Sequence, residues 1–187
     1  MTRAELKALA KQQIKGSIGT MFVIALLTTI ITGTGLGSIL TPGLSLSLCM
    51  IYLNMTKGQK ASVGDMFEGV RHLGKAWWLN ILIAFFTTLW SFLFVIPGIV
   101  KSLAYSMAGY VLADNPGLTA RQALNESKRI TMGHKGELFV LQLSFIGWHL
   151  LGAITFGIAY IYITPYMNAT MANFYNAIKN PNVVEGV

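Results

Sequence analysis

The chain has 187 residues, 53% of them hydrophobic and only 11% charged, where an ordinary soluble domain carries roughly a quarter charged residues. A soluble surface would need more charge, and the net charge of +7 is distributed in a way that argues against nucleic acid as its partner. The single cysteine, Cys49, excludes an intramolecular disulfide and any cysteine-rich metal site.

Three units of one pattern succeed each other along the chain. Each opens with a helix-capping residue, continues as a short basic amphipathic stretch, passes a Lys/Gly marker, and enters an apolar stretch that turns near a proline into a second one. The first unit opens at Thr2-x-x-Glu5, where a hydroxyl and a carboxylate can satisfy each other's backbone N–H groups. Lys7, Lys11 and Lys15 form a stripe beside Leu6, Leu9, Ala10 and Ile14. Glu5 and the lack of a small-x-small cleavage site near Gly33–Ser38 argue against a removable signal. After Lys15-Gly16, crossings are predicted over 17–34 and 38–56, with Gly33, Gly35, Gly37 and Gly43 permitting a tight outer turn before Pro42 or around it.

The second unit opens at Ser62-x-x-Asp65. Val63, Met66, Phe67, Val70 and Leu73 share one helical face, opposite Asp65, Glu68, Arg71 and Lys75. Beyond Gly74-Lys75, Trp77 and Trp78 suit headgroup level, and crossings are predicted over 77–95 and 97–114, with Pro97 near the turn between them. The third unit opens at Thr119-x-x-Gln122. Ala120, Ala123, Leu124, Ser127 and Ile130 face away from Arg121, Lys128 and Arg129; after Lys135-Gly136, crossings are predicted over 138–155 and 157–178, with Pro165 in the second. From each proline to the next basic segment there are too few residues to cross about 30 Å of hydrocarbon, so each second helix must begin before its proline, kink there, or stop short.

Thirteen of the fourteen bases fall on the same side of a six-span arrangement with both termini inside, and only Lys101 departs. The predicted fold is therefore all-α: a polytopic transmembrane helical bundle of about six spans, built as three pseudo-repeated hairpins each preceded by an amphipathic interfacial helix. It forms one integral membrane domain over 1–187, with pseudo-repeats of about 2–58, 62–116 and 119–180. Small residues Ser102, Ser106, Gly109 and Ala113 share a face of the fourth span, and Ala169, Ala172 and Asn176 do so on the sixth, placing those two helices centrally. Phe85, Phe86 and Phe92 of the third belong outside or in gaps.

Candidate sites are few. Lys101, His149 and Gln142 are the intramembrane polar candidates, since ionisable groups at membrane depth are costly unless paired or hydrated. Snorkelling of Lys101 and a neutral, bonded His149 are the structural alternatives. Arg71, Lys75, Arg121, Lys128, Arg129 and Lys135 are the candidate lipid-headgroup contacts. Asp114 lies in an Asp-Asn-Pro-Gly helix-ending turn. His72, His134 and His149 are far apart, and no HExxH, CxxC, GxSxG or phosphate-binding loop is present; no catalytic residue, cofactor or metal site is assigned.

Ile96-Pro97-Gly98-Ile99, Tyr105, Ala113-Asp114-Asn115-Pro116, Ala123-Leu124 with Ser127, Gly133-His134-Lys135-Gly136-Glu137-Leu138-Phe139, Ser144-Phe145-Ile146-Gly147-Trp148, Pro165-Tyr166 and Phe174-Tyr175 resemble the uncharacterised bacterial integral-membrane family catalogued as domain of unknown function 975. The resemblance is strongest from Trp90 to Tyr175. It implies a bacterial, multi-pass cytoplasmic-membrane protein and brings no reaction or substrate. The functional expectation is a non-enzymatic protein that associates with anionic lipid headgroups at the cytoplasmic face, with a membrane-protein partner or with further copies of itself, in envelope function, stress tolerance or peptide immunity. The alternatives are a small transporter or channel with Lys101 and His149 lining its path, and an intramembrane lipid-modifying enzyme.

Overall fold

The structure, a computed structural model, describes residues 2–34, 37–93, 95–155, 157 and 159–179, and among these all side chains except those of 90–93 and 95–97. Within that set every regular element is helical: α1 (Arg3–Ile14), α2 (Ile18–Gly33), α3 (Gly37–Thr56), α4 (Leu73–Leu93), α5 (Val95–Tyr105), α6 (Ala108–Asp114), α7 (Ala120–Ile130), α8 (Lys135–Leu143), α9 (Ile146–Ile154) and α10 (Tyr160–Lys179), with two 3₁₀ turns at Gly64–Phe67 and Gly69–His72. The expected roles of Gly35 in the first turn and of the Phe92 side chain lie outside the described residues.

The capping boxes form as the sequence predicts. Glu5 N–H donates to Thr2 Oγ1 at 3.3 Å and Thr2 N–H to Glu5 Oε2 at 2.8 Å; Gln122 N–H and Thr119 N–H repeat the exchange at 3.3 and 2.8 Å. The Thr2 contacts also hold the Glu5 carboxyl below the usual carboxylate range. In the second unit Ser62 N–H donates to Asp65 Oδ2 at 3.2 Å, yet the chain beyond it forms the pair of 3₁₀ turns. A turn of three residues moves the apolar face off its α-helical register. Met66 is fully buried, whereas Phe67 is 51% exposed. Of the leading helices predicted for the three units, the first and third form as α-helices and the second does not.

The prolines behave alike. α3 and α10 begin five residues before Pro42 and Pro165, and α5 begins two before Pro97, so each second helix starts ahead of its proline. Pro97 falls in the first turn, where its missing N–H costs least, whereas Pro42 and Pro165 each remove one bond of the second turn. The fourth predicted crossing breaks further on. Ser106 turns its hydroxyl onto Leu103 O at 2.8 Å, and α5 ends at Tyr105 with α6 starting at Ala108; such back-bonding competes with the helical ladder. Gly37–Thr56 and Lys135–Ile154 are each long and apolar enough to cross a membrane, and α1 with α2, bent by 86°, makes a third candidate.

α3 lies at the centre, against α6, α10 and the 3₁₀ turns. The leading segments close the units into a ring. α1 packs along α10, the 62–72 segment along α3, and α7 along α6 and α4, so each leading segment docks on the second stretch of the preceding unit and the first unit closes on the third. Each dock carries a polar tie. Gln13 and Asn173 exchange amide hydrogen bonds at 3.1 and 2.8 Å, Gly69 N–H donates to Ser47 Oγ at 2.8 Å, and Ser127 Oγ donates to Ala104 O at 2.7 Å.

One placement corrects the sequence reading. Trp77 Nε1 donates to Ile39 O at 2.8 Å, so the start of α4 sits against the start of α3. Gly69 is pressed so closely on Gly43 and Ser47 that a Cβ there would lie 2.4 Å from Ser47 N. The segment from Ser62 to Lys75 therefore climbs α3 instead of lying flat beside its far end, and Trp77 does not mark the opposite surface from Ile39.

Candidate functional site

The second helices of the three units end together. Asp114, the last residue of α6, receives the Tyr175 hydroxyl at 3.1 Å, pairs with Lys57 Nζ at 3.4 Å and pairs with Lys179. Its side chain is only 13% exposed, against 55% and 36% for the two lysines. A carboxylate at a helix C-terminus meets the negative end of the dipole, whereas Lys57 and Lys179, at the ends of α3 and α10, are favourably placed. The two ammonium groups thus neutralise a charge that α6 alone disfavours. Around them Asn176 Nδ2 donates to Thr56 Oγ1 at 2.6 Å, Tyr110 stacks on Tyr175 with centroids 6.0 Å apart, and the Tyr110 hydroxyl donates to Asn168 O at 3.3 Å. Sequence reading took Asp114 for part of a turn. The signal for its role was its equivalence, at the end of a second helix, to Lys57 and Lys179.

The candidate headgroup contacts divide. Arg71, Arg121 and Lys128 are exposed. Lys75 instead donates to Pro116 O at 2.6 Å, tying the second unit to the link before the third. Arg129 grips Glu126 with two hydrogen bonds, at 2.8 and 2.6 Å, and so holds that carboxyl below its usual range. Lys135 is half-buried. Lys7, absent from the predicted set, donates to Ser144 Oγ at 2.7 Å and lies 4.8 Å from the centroid of Phe145; Lys11 lies 5.9 Å from that of Tyr166.

Of the intramembrane polar candidates, Gln142 and His149 are exposed on α8–α9. His149 Nδ1 is 3.2 Å from the Tyr160 hydroxyl. Lys101 is half-buried on α5, within electrostatic reach of Lys128 and Lys135, so the base that departs from the one-sided pattern stands near two that obey it. None of the three lines the cavity of about 540 Å³ enclosed by α3, α4, α5 and α6. That cavity is bordered by Ser102, Ser106 and Gly109, the small face expected to admit a neighbouring backbone. α6 does approach α3 there, since a methyl on Gly109 would lie 3.3 Å from Cys49 Sγ. On the sixth predicted span, Ala169 and Ala172 are fully buried, in keeping with the central place read for that helix.

Residues 94–182 match the model of the family described as Protein of unknown function (DUF975). The match bears out the resemblance read from the sequence and covers α5 to α10, with Asp114, Tyr175 and Lys179 inside it. No curated protein and no solved structure matches the chain.

Proposed function

We propose that this is a non-enzymatic, multi-pass protein of a bacterial cytoplasmic membrane, with both termini inside, that holds anionic lipid headgroups against its basic inner face. The observation that carries the reading is the distribution of exposed apolar side chains over the three units. Phe22, Leu26 and Ile30 line the outside of α2; Ile81, Phe85 and Leu89 that of α4; Ile146, Leu150 and Ile154 that of α9. Each row falls at i, i+4, i+8 on the first long stretch of its unit, while the second stretches are exposed near their starts, at Ile39, Ile99, Val100, Tyr160 and Ile161, and mostly buried beyond. Three such rows exceed what a soluble monomer leaves uncovered and suit a hydrocarbon surround. Six crossings remain the topology we propose, with α5–α6 a broken one and α4 leaning across α3, as the Trp77–Ile39 bond demands.

The bases supply the function. Arg71, Arg121 and Lys128 are exposed on leading segments whose apolar sides are docked, and each base near an anionic surface contributes about 1 kcal/mol. Native mass spectrometry of the protein released gently from its own membrane tests this. Retained phosphatidylglycerol or cardiolipin is expected, with the triple variant Arg121→Gln/Lys128→Gln/Arg129→Gln losing most of it. Equal retention by the variant, or a stoichiometric protein partner with no anionic lipid, would refute the lipid reading.

A further inference from the structure

Just behind the wall of the cavity between α3, α4 and α5–α6 lies a hydroxyl that the described residues leave unsatisfied. Other helix hydroxyls bond back to their own helices, among them Thr28 to Ile24 O, Thr32 to Thr28 O, Ser47 to Gly43 O and Thr170 to Tyr166 O, at 2.7 to 3.1 Å. Among the described residues Thr87 Oγ1 is buried without a hydrogen-bond partner, and Thr87 lines the cavity. An unmade hydrogen bond of this kind destabilises the fold, a cost that a ligand acceptor would remove.

The walls define what that ligand is. Thr87, Thr88 and Ser102 stand where α4 and α5 approach their turn; Leu46, Leu79 and Ala76 form the other end. One end is therefore hydroxyl-rich and the other mainly apolar, with Ser45 and Asn80 beside Leu46 and Leu79. Asn80, Ala84 and Thr88 border the cavity on the exposed side of α4, one position before Ile81, Phe85 and Leu89 of the exposed apolar row. The mouth thus opens beside the surface proposed to face hydrocarbon. A volume of about 540 Å³ is that of a single-ligand site and too small for a whole two-chain lipid with its headgroup.

We propose that this cavity takes one acyl chain of a membrane phospholipid, entering sideways from the bilayer, with the Thr87 hydroxyl turning from its buried position to donate to the ester carbonyl and the chain running toward Leu46 and Leu79. The site is separate from the basic inner face, and the proposal rests only on the membrane placement above. Cys49, the single cysteine, lines the same cavity and reports on its occupancy. The protein is reconstituted in vesicles of phosphatidylethanolamine and phosphatidylglycerol, checked by flotation, and compared with delipidated protein in detergent for the rate at which N-ethylmaleimide alkylates Cys49. Lipid is expected to slow alkylation at least tenfold. Thr87→Val, which keeps the shape and removes the donor, is expected to weaken protection about fivefold, the effect of one hydrogen bond. Ser106→Trp, which fills the cavity, is expected to protect Cys49 even without lipid. Protein that floats with the vesicles yet shows equal Cys49 rates with and without lipid, or equal protection in Thr87→Val, overturns the acyl-chain site alone. Protein that fails to float overturns this proposal together with the membrane reading.

Discussion

Asp114 links three helix ends through one carboxylate, so removing its charge tests whether the ends need it. In Asp114→Asn the amide keeps the shape and still accepts from Tyr175, but both ammonium partners lose their counter-charge. Solvent reaches Lys57 and Lys179, which discounts the loss to about 1–2 kcal/mol. Lys57→Met removes only the longer, more exposed pair of 3.4 Å, with an expected cost of under about 1 kcal/mol. Thermal unfolding in detergent, followed by tryptophan fluorescence, separates the two, and a larger loss for Lys57→Met would show that Asp114 is held by something other than charge. Neither position stands out in the sequence as a site. A lone acid before Asn-Pro-Gly reads as a turn, and its partners are 57 and 65 residues away.

The elements most legible in the sequence are those fixed by local chemistry. Thr2 and Thr119 cap α1 and α7 because the hydroxyl and the third-following Glu or Gln act within one turn. The buried faces Leu6, Ala10, Ile14 and Ala120, Ala123, Leu124, Ser127, Ile130 emerge from the 3.6-residue period alone. The period misled over 62–72, where the chain tightens into 3₁₀ turns to thread along α3. It does so because Gly69 and Gly43 let two backbones approach, a tertiary cause invisible to a local pattern. Gly69→Ala places a methyl about where Ser47 N and Gly43 O now stand and is expected to cost about 1–3 kcal/mol. Gly74→Ala, where nothing lies within 4 Å of the added methyl, is expected to be neutral or mildly stabilising, because alanine outranks glycine in a helix. Equal unfolding midpoints for the two variants would mean that the 62–72 segment is not docked on α3. The break at Ser106 is hidden for a similar reason, since no proline marks it and it rests on the Ser106 hydroxyl turning onto Leu103 O.

At the scale of the molecule, the repeat read from the sequence becomes a ring, and the ring has consequences for topology. Each leading segment docks on the preceding unit, and three second helices bring Lys57, Asp114 and Lys179 to one end. The sequence contains the three units but not their closure, because Gln13 and Asn173 are 160 residues apart and neither is unusual in its own segment. If the ring sits in a bilayer as proposed, the cluster and the bases around it occupy the inner side. The test takes Cys49→Ser as background and places single cysteines at Lys60, Arg121 and Thr34. In intact cells a membrane-impermeant maleimide is expected to label Thr34→Cys, at the turn between α2 and α3, and to spare Lys60→Cys and Arg121→Cys until the membrane is opened. Labelling of Lys60→Cys from outside while Arg121→Cys stays protected would mean that α3 does not complete its crossing. The second unit would then enter from the other face, a result the Trp77–Ile39 bond makes worth seeking, because that bond already brings the start of α4 to the outer end of α3. Labelling of both from outside would invert the whole ring and place the basic segments against the wrong leaflet for the proposed lipid role.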